Sequence, residues 1–322
     1  MNYVLRNTLS LAMSIGMMTA GFYALGASCV DNYTRCSNCA CGCRPQPPPT
    51  PPAPPVLTNC YVLDLGTMTV TNVASVNPKM MEYKTGKILF KLLNGGTYIA
   101  GSPKTEIGRY SQVNDIDFEP QHKVTVKDFA IGVYEVTQRQ YEIVTGEPHQ
   151  NKFAKADRAK DFVSWKDAHL FIDTVNKSLK GGWKIALPSE DQWEYACRAG
   201  TTNAFSAAEV YMKDVRIAPG LEKYASYLNG GDANVVRESV ERFPPVGSFK
   251  PNPWGLYDMH GGVWEWCEDD WTVNGTKGMK SVRGGGYWFN SDDCRSANRH
   301  GYVPTHRNHG FGFRVVLLNT TK

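Results

Sequence analysis

The chain is expected to fold as an α+β domain with a low fraction of regular secondary structure. Two observations predict it. Glycine and tryptophan are generous, at 30 and 8 residues in a chain of 322, while long helical periodicity is scarce. The periodicity that exists falls into three short helices, separated by Gly- and Pro-punctuated loops and short strands. A chain of this length buries one large core or two smaller ones. Its formal net charge is +4. No run of Lys and Arg makes a basic stripe, so no nucleic-acid partner is expected.

In chain order, residues 1–28 read as a signal peptide. Arg6 precedes an apolar run from about Leu9 to Leu25, and small Ala27 and Ser28 stand before Cys29. The same spacing suits lipoprotein processing with acylation at Cys29. The lipobox match is partial, because Gly26 takes the place usually held by Leu, and Leu25 lies one further back. An uncleaved anchor helix or an ordinary signal peptide are the alternatives. One acyl chain binds membranes only marginally, so stable anchoring needs several.

Residues 29–55 form a tether. Cys36, Cys39, Cys41 and Cys43 cluster tightly. Thiolates at that spacing can share a soft metal ion, but in an exported chain disulfides or a reactive tether without a core are the better expectation. With Cys29 acylated, eight cysteines remain, an even number compatible with pairing. The run Pro45–Pro55 should be extended polyproline, a semi-rigid stalk.

Residues 56–91 read as a short β-rich lead-in, with "CYVLDLGTMTVTNV" and "KILFKLL" as its strands. They form either a small separate unit or edge strands of the domain that follows, 92–319. In that domain Thr137 with Gln140 and Ser189 with Gln192 make capping boxes, and Ser164 with Asp167 makes a weaker one. The middle helix presents Trp165, Ala168, Phe171, Ile172, Val175 and Leu179 at core spacing. Gly146 and the pair Gly181–Gly182 are stop signals. "HKVTVKDFAIGVYEV" supplies further strands.

Five motifs then occur in register: "GGTYIAGSP", "PQHKVTVKDFAIGVYEVTQRQYE", "LPSEDQWEYACRAG", "PVGSFKPNPWGLYDMHGGVWEWCEDDW" and "VRGGGYWF…CRSANR…GFRVV". In this order, from about Leu92 to Leu317, they resemble the formylglycine-generating enzyme, or sulfatase-modifying factor, family. The resemblance implies a C-type lectin-like fold of that enzyme's type. It also raises the family's chemistry, oxidation of a substrate cysteine by a copper ion held between two cysteines five residues apart. A near-linear pair of thiolates suits soft Cu(I). Here the second cysteine matches Cys294 and the first falls on Phe289. One thiolate beside a phenyl ring cannot make that site, so no copper and no catalytic residue are expected. A second enzymatic branch, the non-haem iron sulfoxide synthases, needs three His ligands. His300, His306 and His309 lie close in sequence, but Pro304 and Gly310 interrupt any helix that would align them.

"LYDMHGGVWEW" resembles the family's calcium loop. The resemblance implies the side chain of Asp258, the carbonyls of Gly261 and Val263, and the carboxylate of Glu265 as ligands of a structural calcium ion; hard oxygen donors are what calcium takes. The alternative is a metal-free Gly-rich turn with Glu265 bonded to backbone amides. Trp254, Trp264 and Trp266 are expected in the core.

The stretch Gly284–Val316 contains no Lys, Glu, Gln or Met. It is similar to the C-terminal segment of a non-enzymatic branch of this fold family, the variable proteins of diversity-generating retroelements. In that branch mutagenesis of template adenines rewrites chosen codons, and an altered AAC codon cannot encode those four residues or Trp. The implied recognition residues are Tyr287, Trp288, Phe289, Asn290, Asp292, Asp293, His300, Gly301, Tyr302, Val303, Thr305, His306 and His309. Trp288 lies outside that codon's reach and reads as scaffold or as a fixed contact. Tyr287, Trp288, Phe289 and Tyr302 are the expected hot spots, since aromatic area with Asn, Ser, Gly and His is the residue palette of antibody paratopes. Arg295, Asn298, Phe311, Phe313 and Arg314 are expected in the core, with Arg299 and Arg307 holding the loop. The chain is thus expected to be an exported, lipid-anchored envelope or cell-surface protein. Its partner would be a protein or glycan on another cell or host. A non-catalytic structural envelope lipoprotein of the same fold is the alternative, with a formylglycine-generating oxidase behind it.

Overall fold

Each predicted helix begins at its capping residue. The computed structural model describes residues 56–109, 117–149, 154–228 and 243–321. The signal segment, Cys29, the cysteine cluster and the proline run lie outside the described residues. Helix α1 (Gln138–Thr145) starts where Thr137 Oγ1 accepts from the Gln140 amide and Gln140 Oε1 accepts from the Thr137 amide. Gly146, at φ 76°, ends it in the left-handed conformation that glycine adopts without strain. Helices α2 (Trp165–Ser178) and α3 (Glu190–Arg198) carry the same reciprocal caps at Ser164–Asp167 and Ser189–Gln192. Helix α2 buries Ala168, Phe171, Ile172 and Val175, as its spacing requires. The Phe171 ring lies 5.8 Å from Tyr141 of α1 and 5.5 Å from Phe313.

Strands β1 (Leu57–Asp64), β2 (Thr69–Val76) and β3 (Lys87–Leu93) are followed by β4 (Gly96–Ala100), β5 (His122–Val126), β6 (Phe129–Gly132) and β7 (Trp183–Ala186). Then come β8 (Trp264–Asp270), β9 (Lys280–Arg283), β10 (Arg299–Tyr302), β11 (Phe311–Gly312) and β12 (Val316–Asn319). Six of them form one sheet in the order β2-β1-β3-β6-β12-β7. Of the two readings of residues 56–91, the structure takes the one that makes them strands of the domain that follows. Strand β3 runs across residue 91, pairing with β1 through Cys60↔Lys91 and with β6 through Phe90↔Gly132. Leu89 and Phe90 are buried, so the lead-in is part of the domain's own core. The last strand, β12, closes between β6 and β7.

A second sheet has the order β10-β9-β8-β11, and β4 pairs with β5. Strand β10 lies at the edge of its sheet, with all four residues half-buried. Between the sheets, Trp264 and Trp266 of β8 are fully buried, and the Trp266 indole donates to the Val163 carbonyl at 2.8 Å. Trp254 is half-buried against Tyr195, at 4.9 Å. Cys60, Cys197, Cys267 and Cys294 are buried free thiols. Among the described residues no helix is long and apolar enough to cross a membrane.

Candidate functional site

The segment from Gly284 to Val316 divides into a locked frame and a solvent-facing loop. The frame is held by buried charge. The Arg295 side chain is fully buried and spans Glu119, at 2.6 and 2.9 Å, and Glu106, at 2.7 Å. The Arg314 guanidinium is likewise buried and grips Glu265 at 2.6 and 2.7 Å, while also donating to the carbonyls of Gly132 and Tyr257. Removing one partner of such a pair strands a desolvated charge and costs about 3–5 kcal/mol. Arg299 pairs with Glu190 at 2.5 Å. Arg307 pairs with Asp167 at 2.5 Å, and there the arginine side chain is 54% exposed. These four arginines fix the segment from both ends and from the edge strand.

Within the frame two expected contact residues turn inward. Tyr287 is 1% exposed, stacked 5.0 Å from Phe243, with its amide bonded to the Gly262 carbonyl. Trp288 is also buried, and its indole lies across Gly310 so closely that a β-carbon there would stand 2.2 Å from Nε1. Gly301 is closely packed on one side. A β-carbon would come within 2.2 Å of the buried Trp271 ring. Tyr287 and Trp288 are therefore corrected from contact residues to supports, while Gly301 stays half-exposed on the edge strand. The two aromatic rings serve close packing. Phe289 is half-buried, edge-on to Trp264 at 5.5 Å.

The remaining residues reach solvent. Asn290, Asp292 and Asp293 are half-exposed; Val303 and Thr305 are exposed; His300, Tyr302, His306 and His309 are half-exposed. Asp293 faces His300 at 3.6 Å. Tyr302 stacks on His306 at 4.6 Å, and both stand edge-on to buried Phe311. The His306 amide donates to the Val303 carbonyl, closing the turn at the loop tip. Burial lowers the His306 pKa below the usual imidazole value. Burial, then neighbouring Asp293, pushes Asp292 up to about 6. The His309 Nδ1 meets the buried Asp161 carboxylate at 3.0 Å. The three histidines thus have separate partners, and among the described residues no three His, Cys, Asp or Glu converge as a metal site.

Cys294 is fully buried, with its thiol pKa held well above the usual value by burial. Its backbone is pinned by His260, whose Nδ1 donates to the Cys294 carbonyl at 2.8 Å. The His260 Nε2 accepts from the Ser206 amide at 3.2 Å, which leaves the ring neutral. Burial lowers its pKa to about 4. A neutral thiol without exposure is a poor nucleophile and a poor metal ligand.

The calcium ligand set fits only in part. Both Glu265 oxygens are engaged, Oε2 by the Trp193 indole and Arg314 and Oε1 by Arg314. Glu265 could join a metal only through the acceptor capacity that Arg314 and Trp193 leave, chiefly on Oε1. Asp258 sits at φ 58° and accepts from the Gly247 amide at 2.6 Å. The carboxyl with capacity to spare is Glu135, fully buried beside it, whose Oε2 has no hydrogen-bond partner. Burial and then Asp258 raise the Glu135 pKa well above the carboxylate range. Glu135 lies inside the quoted motif "PQHKVTVKDFAIGVYEVTQRQYE", but the sequence did not single it out as a metal ligand.

The two-sheet core with long ordered loops and a half-exposed C-terminal loop is a C-type lectin-like fold of the formylglycine-generating-enzyme type. Residues 84–318 match the sulfatase-modifying factor enzyme 1-like domain, and the chain belongs to that family. It is 31% identical over 171 residues to the formylglycine-generating enzyme of Mus musculus, covering 48% of this chain and 42% of that protein. The chain spans about half the length of the first curated relatives it matches. Among solved structures, PvdO from Pseudomonas aeruginosa is 26% identical with a TM-score of 0.57, over 71% of this chain and 94% of that one. Treponema denticola variable protein 1 has the same TM-score at 21% identity, over 71% of this chain and 95% of that one.

Proposed function

We propose that this chain is a ligand-binding protein without enzymatic activity, and that its surface at about 287–310 is a recognition site diversified by a retroelement. One observation carries the reading: Asn290, Asp293, His300, Val303, Thr305, His306 and His309 reach solvent from a frame held by buried arginines. Exposed positions tolerate substitution within about ±0.5 kcal/mol, so such a loop can be rewritten while the fold persists. Tyr287 and Trp288 then form the platform under it. The fold shared with a protein named a variable protein agrees with this reading. Export through residues 1–28, acylation at Cys29 and display on the 29–55 tether would place the loop at the cell surface. The partner is a protein or glycan on another cell or host. The DNA beside the gene tests the reading. A near-identical repeat differing at adenines, next to a reverse-transcriptase gene, is expected; without them diversification fails.

The similarity to formylglycine-generating enzymes keeps one enzymatic reading in view. A cysteine peptide incubated with the protein and copper should consume no oxygen above background, because Cys294 is buried and Phe289 stands where its thiol partner would be. Copper-dependent turnover would reverse this conclusion.

A further inference from the structure

Among the described residues every sheet edge but one is guarded by shortness or charge. Strand β7, at one edge of the six-stranded sheet, is four residues long and carries exposed Lys184. In the second sheet β11 is two residues long, and β10 is four long with Arg299 and His300 on it. In the small sheet β4 and β5 have five residues each, and β5 carries His122 and Lys123. Short strands and charged side chains are what keep an edge from pairing with another chain.

Strand β2, at the other edge of the six-stranded sheet, has neither device. Its eight residues, "TVTNVASV", include no charge, no proline and no glycine. Val70, Val73 and Val76 pack back on the core and hold the strand in place, while Thr71, Asn72, Ala74 and Ser75 are exposed. On one side the backbone pairs with β1, from Leu57↔Val76 to Asp64↔Thr69. Among the described residues no backbone group of Thr69–Val76 bonds to anything else. Alternate residues therefore turn their N–H and C=O groups outward in an unused row. Just past the end of the strand, Met80 and Met81 are 46% and 57% exposed, so the edge continues into apolar surface.

We infer that β2 pairs antiparallel with the β2 of a second copy of this chain, about a two-fold axis at Val73, and joins the two six-stranded sheets edge to edge. A row of backbone donors and acceptors calls for an extended strand, and β2 suits its own reverse. With Val73 opposite Val73, Thr71 faces Ser75 and Val70 faces Val76, so hydroxyl meets hydroxyl and apolar meets apolar. Asn72 faces Ala74, and no charge stands opposite a like charge. Such an isologous contact closes on itself and stops at two copies. The pairing does not depend on the recognition reading, but it sets two loops in one assembly, which favours a ligand repeated on one surface.

Sedimentation of the full chain tests this, under reducing conditions that exclude disulfide-linked dimers. The wild type should pass from monomer to dimer as concentration rises. Asn72→Lys combined with Ala74→Lys sets lysines directly opposite one another and should weaken the dimer at least about tenfold. Asn72→Glu combined with Ala74→Glu should do the same. An equimolar mixture of the two variants should restore a dimer containing one of each, read by native mass spectrometry. At dilutions where the wild type is monomeric, both variants should melt within about 2 °C of it, since the substituted side chains are exposed. A wild type that stays monomeric at every concentration overturns the pairing and leaves the edge to the strand of another protein. A dimer of unchanged strength in both variants overturns it as well, because the contact then lies elsewhere. Weakened variants that form no mixed dimer overturn the register at Val73.

Discussion

Arg314 and Arg307 lie on the same short stretch of chain, and each grips one carboxylate with two nitrogens. Arg314 is fully buried, while the Arg307 side chain is 54% exposed. Their surroundings differ as their burial does. Around Arg314 are Glu265, the Gly132 and Tyr257 carbonyls and the fully buried Trp193. Around Arg307 are solvent and a loop with exposed Val303 and Thr305. The contrast teaches that identical chemistry serves two purposes in this segment, and desolvation separates them. The buried pair organises the fold, and the exposed pair orients a surface.

The largest expected effect breaks the buried side of that contrast. Arg314→Ala should cost about 3–5 kcal/mol in denaturant unfolding, against at most about 1 kcal/mol for Arg307→Ala. Equal losses would dissolve the distinction. Next is acidity, acting through His260, which pins Cys294. Its folded pKa of about 4 lies below the usual imidazole value of about 6.5, so the unfolded chain binds the proton first. Its contribution is intact above pH 6.5 and is lost as pH falls toward 4, by about 1.4 kcal/mol per unit and about 3 kcal/mol in all. The stability difference between the wild type and His260→Asn should shrink by that amount over this window. A difference independent of pH would mean that the ring is not neutral in the fold.

A sharper comparison sets two adjacent residues of β10 against each other. Gly301→Ala, which drives a β-carbon into Trp271, should cost about 1–3 kcal/mol, and His300→Ala within about 0.5 kcal/mol. The smallest effect concerns calcium. Because Arg314 already engages both Glu265 oxygens, chelation should move Tm by less than about 1 °C. A rise of several degrees on adding calcium, abolished in Glu135→Gln, would show that the buried Glu135 and Asp258 accept the ion.

The sequence marked much of the frame because its signals are local. The caps at Thr137, Ser164 and Ser189 involve residues three apart, and each box formed as read. Arg295, Asn298, Phe311, Phe313 and Arg314 were read as core and are buried. Whether residues 56–91 belong to the domain was not legible because strand pairing is non-local: β3 finds β6 far along the chain. Residue type misled at Tyr287 and Trp288, since large aromatics suit a binding surface and a packed interior alike. Gly301 carries a constraint the sequence did not show. A glycine in a variable-looking stretch gives no sign that a tryptophan ring presses on it.

What the amino-acid order determined by itself is the set of elements with short-range causes: helix starts, turns, strand alternation, the missing cysteine at Phe289, and the membership carried by five motifs in register. What only the tertiary structure decided is which side chains of the C-terminal stretch see water. Exposure is a property of neighbours, and those neighbours come from elsewhere: Phe243 over Tyr287, Trp271 against Gly301, Glu119 on Arg295, Phe162 beside His309. Composition limits what a surface can say, and packing from distant segments chooses the residues that say it.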